Sequence, residues 1–353
     1  MSKKNELIIK FENSVEQTIG DISKIVGLVQ AKYFISIIDN LNLDANPRSS
    51  KTGQVTDAIR DTIENNPELF PFMTKGILLA SSNYEWLGEG RIKISPKNPT
   101  IEGILDGGHN TLAIGLYILE QAFNYHGETL TKGAKTWNDF KNLWETNRDN
   151  IETYYSQVQY DDSLDALTFL VPVELLVPRN QNDSNCIYSF TNSLLEICEA
   201  RNNNAELQLA AKANQKGYFE DLKEYMDIHN PDISKRIEWK TNEGGEIKVQ
   251  DIIALSWVAL NLIDPVRDEN NYDKVIAHVA PNKLYSAKGA CLKQFERFMS
   301  SPDVTGYSED GYHAELLNEE VKSAFRIAVD LPDLYDYMYE NFPKAIMRME
   351  VIF

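Results

Sequence analysis

The sequence has 353 residues, 42% hydrophobic and 25% charged, enough for one or two domains whose cores need no disulfide or metal. Acidic side chains outnumber basic ones 53 to 35, and the formal net charge of −18 argues against broad, sequence-independent binding to nucleic acid while leaving room for a local basic groove. Cys186, Cys198 and Cys291 form no CxxC pair and no cluster with histidine, so buried thiols in a reducing cytosol are expected rather than a disulfide or zinc framework.

Taken in chain order, Met1 to Lys10 holds only Leu7-Ile-Ile as an apolar run, too short for a secretory signal core. No segment approaches 18 apolar residues, so no membrane partner is expected and the cytoplasm is the expected location. Val15, Ile19, Ile22, Val26, Val29 and Phe34 recur near helical spacing and predict a helix over residues 14–40. A polar loop follows over 42–53, then a helix over 55–65 that ends before Pro67. Ile77-Leu-Leu-Ala80 is a short strand, residues 84–94 a hairpin around Gly88-Glu-Gly90, and residues 101–105 another strand. Leu112, Leu116, Leu119 and Phe123 share one face of a helix over 111–123. Helical pieces fill 124–165, and 167–177 carries the strongest strand signal, with Pro172 pointing to a bulge or an edge position. Helices are expected over 186–201 and 206–226, a small hairpin around Gly244-Gly245, and mainly helix from 251 onward. The order of elements predicts an α+β fold with a mixed sheet and helices in the first half and a mainly helical second half. The domains would span 1–180 and 181–353.

Ile104-Leu-Asp-Gly-Gly-His-Asn-Thr111 places six polar or glycine residues between a strand and a helix. Gly107 and Gly108 would allow positive φ and close approach of a ligand. The following helix start offers unpaired N–H groups to an anion, and His109, Asn110 and Thr111 add donors. Asp106 could hold a ribose hydroxyl, orient His109 or cap the helix. A well-formed turn with no ligand would use the same Asp and Gly. There is no GxxxxGK[ST] loop and no GxGxxG fingerprint. Asn46-Pro-Arg-Ser-Ser-Lys51 sets two cations beside two hydroxyls and suits a phosphate or carboxylate, or a plain solvated loop. Phe70-Pro-Phe-Met-Thr-Lys-Gly76 sets aromatics that could flank a base or sugar before Lys75, a phosphate contact, or that could simply be buried ahead of a core strand. Arg179-Asn-Gln-Asn-Asp183 and Glu199-Ala-Arg-Asn-Asn-Asn204 read better as helix caps. Glu238-Trp-Lys240, with Asp232 upstream, resembles the ExK piece of metal-dependent nucleases, a pattern that surface strands also show. His229, His278 and His313 have no HxxxH or HxH partner, and no metal site is expected.

Asn46-Pro-Arg48, Asn66-Pro-Glu-Leu-Phe70, Lys75-Gly-Ile77 and Asp106-Gly-Gly-His-Asn-Thr111, in that order, resemble the AIPR (abortive infection, phage resistance) proteins of bacteria. Ala200 to Ala205, Lys212 to Gln215, and Arg236 to Lys240 with Ile247 to Ala254 extend the resemblance over about residues 40–300. The turn also resembles the DGQHR and ParB/sulfiredoxin superfamily, whose members bind nucleotides at a strand–turn–helix carrying G-x-[HR]-R with an upstream N-P-R. The resemblance implies a ParB/sulfiredoxin-like first domain with Asp106 and His109 as the catalytic pair. Asn46, Arg48, Lys75, Gly76, Gly107, Gly108, Asn110 and Thr111 would be its ligand-binding set. It further implies an NTP with Mg as the bound group, a nucleotide or nucleic acid at this local site as partner, a protein partner in a defence system, and a homo-oligomer. Asn110 stands where those families often carry arginine, and no cysteine occupies the turn, so binding is expected ahead of NTP hydrolysis, and sulfiredoxin chemistry is not expected. A non-catalytic regulator or sensor of a defence system and a metal-dependent nuclease are the alternatives.

Overall fold

The computed structural model describes residues 6–46, 49–130, 133–158, 166–201, 209–240, 243–269, 271–307 and 314–342. The chain divides into two compact units, Met1–Leu207 with Thr241–Gly244, and Gln208–Lys240 with Gly245–Phe353. The division falls later than the boundary expected at 180, because the helix that follows residue 183 packs on the sheet of the first unit.

The first unit is built on seven strands: β1 (Leu7–Ile19), β2 (Ile22–Gln30), β3 (Ile77–Ala80), β4 (Tyr84–Gly88), β5 (Arg91–Ile94), β6 (Gly103–Asp106) and β7 (Leu170–Pro178). Their order is β4-β5-β1-β2-β7-β3-β6, with β3 and β7 parallel and every other pair antiparallel. The helix expected over 14–40 is therefore corrected: its first part is the β1–β2 hairpin, and helix begins only at α1 (Phe34–Asn40). The hairpin folds about Gly20-Asp21, pairing Ile19 with Ile22 and Val15 with Val26. Two strands mirrored about a two-residue turn leave apolar residues three and four apart, the same intervals a helix would give. Leu7, Ile9 and Phe11, buried at alternate positions, carry the period of two that marks the strand.

β7 lies inside the sheet, so the edge or bulge position expected from Pro172 is also corrected. The Phe169 carbonyl accepts from Ala31 N at 2.9 Å, which points the odd-numbered residues of this strand at β2. Pro172 thus turns its nitrogen toward β3, whose pairing starts one residue later, at Val173, and no ladder bond is lost.

Both faces of the β7-β3-β6 part of the sheet are covered, as the continuous apolar run of β3 requires, whereas β1 and β5 alternate buried and exposed residues. Ile77, Leu79, Ile104, Val173 and Leu175 join a core with α1 and α4 (Gly108–Tyr125). This core takes in α5 (Trp137–Thr146) through Trp137, Phe140 and Trp144, and α6 (Arg148–Val158) through Ile151 and Tyr154. Leu78, Ala80, Leu105 and Leu176 pack on the other face against Phe190, Leu194 and Cys198 of α7 (Ser184–Arg201). α2 (Gln54–Asn65) and the single turn α3 (Phe70–Met73) complete the unit.

The second unit holds α8 (Leu209–Gln215), α9 (Glu220–His229), α10 (Pro231–Ser234), α11 (Val249–Leu260), α12 (Pro281–Ser286), α13 (Lys288–Met299) and α14 (Glu319–Asn341). Its core gathers Phe219, Trp257, Phe295, Phe298 and Phe325. The hairpin expected around Gly244-Gly245 is corrected: β8 (Ile237–Glu238) and β9 (Ile247–Lys248) pair in parallel, so the intervening chain crosses over instead of turning back. Two antiparallel pairs lie in the stretch read as mainly helical, β10 (Arg267–Asp268) with β11 (Asn271–Val275) and β12 (Thr305–Tyr307) with β13 (Ala314–Leu316). The architecture is α+β, with a mixed seven-stranded sheet and helices in the N-terminal part and a mainly helical C-terminal part with small two-stranded sheets. Among the described residues no helix is long and apolar enough to cross a membrane.

Candidate functional site

β6 ends at Asp106, Gly107 takes the left-handed conformation at φ 86, and α4 begins at Gly108. Asp106 Oδ1 accepts the Gly107 N–H at 2.7 Å. The Gly107 carbonyl accepts both the N–H and the hydroxyl of Thr111, at 2.9 and 3.1 Å. No side chain caps α4 at Gly107, so the first turn of an 18-residue helix presents its amide ends to the space in front.

That space is a cleft of about 680 Å3, a size that suits a small organic ligand. Asp106, Gly107, Gly108, His109 and Asn110 form the wall at the helix start, joined by Asn46 and Ser50 from the loop after α1. Phe70, Met73, Thr74, Lys75 and Gly76 form a second wall leading into β3. α2 closes a third side with Gln54, Val55, Ala58, Ile59 and Thr62. Residues from three stretches that lie far apart in sequence, Asn46 with Ser50, 70–76 and 106–110, thus meet around one concavity.

Asp106, His109, Asn46, Lys75, Gly76, Gly107, Gly108 and Asn110 all line the cleft. Thr111 does not: it is fully buried and its hydroxyl closes the turn onto Gly107. Arg48 lies outside the described residues. Gly108 is helical rather than left-handed, which leaves Gly107 alone in the positive-φ role expected of both. The Asn110 amide nitrogen donates to the Gly76 carbonyl at 2.8 Å, tying α4 to the start of β3. Lys75, an exposed side chain, is the one Lys or Arg among the described lining residues, and Asp106 is the one carboxylate.

Behind the cleft, Arg201 at the end of α7 reaches Asp106 Oδ2 at 3.9 Å and binds Glu174 of β7 at 2.8 Å. Burial would raise the Glu174 carboxyl, but hydrogen bonds and charge from Arg201 and Lys24 outweigh it and hold Glu174 below its ordinary value. Asp106 is therefore held on both oxygens, by a backbone amide on one side and near a guanidinium on the other.

Several of the remaining sequence candidates are engaged within the protein. Arg179 pairs with Asp21, Gln181 exchanges hydrogen bonds with the Tyr84 backbone, and Asp183 accepts from Asn185 N at the start of α7. Glu238 is 8% exposed and ion-paired with Lys248. Of the 199–204 stretch, residues 202–204 lie outside the described residues, as does His313. Among the described residues no three His, Cys, Asp or Glu side chains gather as a metal site would require. Gln54, Thr62 and the apolar face of α2 enter the site without having been singled out as ligand residues, and Ser50 had figured only as one of the two hydroxyls of the 46–51 stretch. Val55, Ile59 and Thr62, spaced i, i+4, i+7, were the signal that α2 turns one face to a common surface. No family model matches the chain, and comparison with curated proteins and with solved structures finds no match.

Proposed function

We propose that this protein binds the phosphate end of a nucleotide in the cleft at the start of α4, and that it does so as a binding or sensing module of the AIPR phage-defence type. What supports this is the convergence of Asn46, Lys75, Gly76 and the Asp106–Asn110 turn on one cleft of nucleotide size, although they come from three separate segments. The uncapped amide ends of α4 and the Lys75 ammonium supply positive potential at one end. Val55, Ala58, Ile59, Phe70 and Met73 supply an apolar wall for a base or sugar. The finer fold comparison, to ParB and sulfiredoxin proteins, has its support in the same strand–turn–helix and its left-handed glycine.

Binding is favoured over turnover because Asp106 is already engaged by the Gly107 amide and lies near Arg201. A carboxylate so held serves to orient the turn. The test is equilibrium binding of labelled nucleotides to the full chain, with phosphate release followed in parallel. Lys75→Ala should weaken binding about tenfold or more, the worth of a charged hydrogen bond of roughly 1.5–3 kcal/mol. Unchanged affinity in Lys75→Ala would remove the cleft from consideration, and phosphate release that disappears in Asp106→Ala would restore the enzymatic alternative.

A further inference from the structure

Ser50 is 2% exposed, lines the cleft, and its hydroxyl has no hydrogen-bond partner among the described residues. Its backbone is fixed independently of that hydroxyl, since the Ser50 carbonyl accepts from Trp137 N at 2.8 Å at the start of α5. The hydroxyl stands over the first residue of α4: a Cβ placed on Gly108 would lie within 2.4 Å of Ser50 Oγ. A hydroxyl that opens onto the cleft from an otherwise buried residue, with no protein partner described, is available to a ligand there. It lies beside the first turn of α4, whose amide ends suit an anion.

Among the described residues the charges around that place are few. Lys75 contributes one positive charge and the helix start about half of one, against the one negative charge of Asp106 in the same wall. So small a positive balance suits one phosphate monoester, at about −1.5 to −2, better than the larger charge of a triphosphate. A triphosphate brings two further phosphoryl groups and is ordinarily accompanied by Mg2+, which is held by one or two carboxylates together with phosphate oxygens. The described lining residues offer Asp106 alone, and its oxygens are taken by the Gly107 amide and approached by Arg201. The described donor set fits a lone phosphate better than Mg2+ with a triphosphate.

We infer that the cleft takes a nucleoside monophosphate without a metal, its single phosphate held by the first turn of α4, the Ser50 hydroxyl and Lys75. This rests on the nucleotide assignment made above and narrows it. The molecule's net charge of −18 makes a free mononucleotide a better occupant than the phosphorylated end of a nucleic-acid strand.

The experiment is calorimetric titration of the full chain with nucleoside 5′-monophosphates in EDTA, with the matching triphosphates in Mg2+, with the bare nucleosides, and with a 5′-phosphorylated oligonucleotide. One of the monophosphates should bind at least tenfold more tightly than its triphosphate, its nucleoside or the oligonucleotide, and EDTA should not weaken it. Ser50→Ala should weaken that monophosphate about tenfold and leave the thermal midpoint unchanged, because the hydroxyl bonds to nothing else described. Tighter binding of the Mg-triphosphate overturns this inference and leaves the nucleotide assignment standing. Tighter binding of the oligonucleotide, or unchanged affinity in Ser50→Ala, also overturns it. Failure of every nucleoside phosphate to bind overturns both. The comparison among ligands needs no variant, so it decides the matter even if Ser50→Ala folds poorly.

Discussion

Gly107 stands at φ 86 with its Cα against the start of β3, and a Cβ there would sit 2.5 Å from the Gly76 carbonyl oxygen. Two costs add when that residue is replaced: the left-handed backbone, about 1–2 kcal/mol, and overlap with a neighbouring backbone that cannot swing away, about 1–3 kcal/mol. Gly107→Ala should therefore lower unfolding stability by about 2–5 kcal/mol in denaturant titration, and a loss below about 1 kcal/mol would show that the β3–α4 approach yields easily. The polar turn at 106–110 was legible because Asp, two glycines, His and Asn interrupt two apolar runs. The roles within it were not. Whether a glycine is left-handed, or an Asn spends its amide on a carbonyl 34 residues away, depends on what lies across the turn. Ser50 was visible only as one of two hydroxyls in a polar loop, since nothing local distinguishes a solvated serine from one 2% exposed.

At the scale of elements, α1 is locked to α5 and α6 by Asp39. Its Oδ1 accepts from Trp144 Nε1 at 2.8 Å, and Arg148 binds both oxygens at 2.7 to 3.0 Å. Asp39→Ala strands the indole N–H of a nearly fully buried tryptophan and a half-buried guanidinium. The expected loss is about 2–3 kcal/mol, read as a lower denaturation midpoint. In an Asp39→Ala background, Trp144→Phe should recover part of that loss, since it removes the stranded donor; a fully additive double mutant would show that the two side chains do not act together. The strands and helices that were legible, α2, β3, the β4–β5 hairpin, α4, β7 and α7, each carry one uninterrupted period or, in β3, one continuous apolar run. The β1–β2 hairpin misled because its turn is two residues long and its apolar residues are mirrored about it. The parallel pairing of β8 and β9 was hidden for another reason: a Gly-Gly between two short polar strands has the composition of a hairpin, and only packing against α11 decides otherwise.

For the whole molecule, each compact unit has its own apolar core, and the acid limb of its stability depends on which carboxylates are paired. Asp303 in the second unit is lowered from 3.8 to about 2, chiefly by hydrogen bonds from the Arg267 side chain and backbone. A carboxyl depressed on folding stabilises fully above its unfolded value and loses that contribution as pH falls through its folded value. The Arg267–Asp303 contribution should thus be present above about pH 4 and fade toward pH 2. The pair is largely solvated, so screening reduces it to under about 1 kcal/mol. Asp303→Asn should flatten the pH dependence of stability between pH 4 and 2 while changing little below it; an unaltered acid limb would show the pair to be energetically silent. The sequence by itself determined the charge balance, the α+β class, the long periodic elements and the strand–turn–helix at Asp106, because each is written in composition or in a period along the chain. Only the tertiary structure decided that Pro172 sits inside the sheet, that α7 belongs with the first unit, and that segments around residues 46, 75 and 106 share one cleft. Those outcomes depend on which faces bury one another across long sequence separations, and a local period carries no record of that choice.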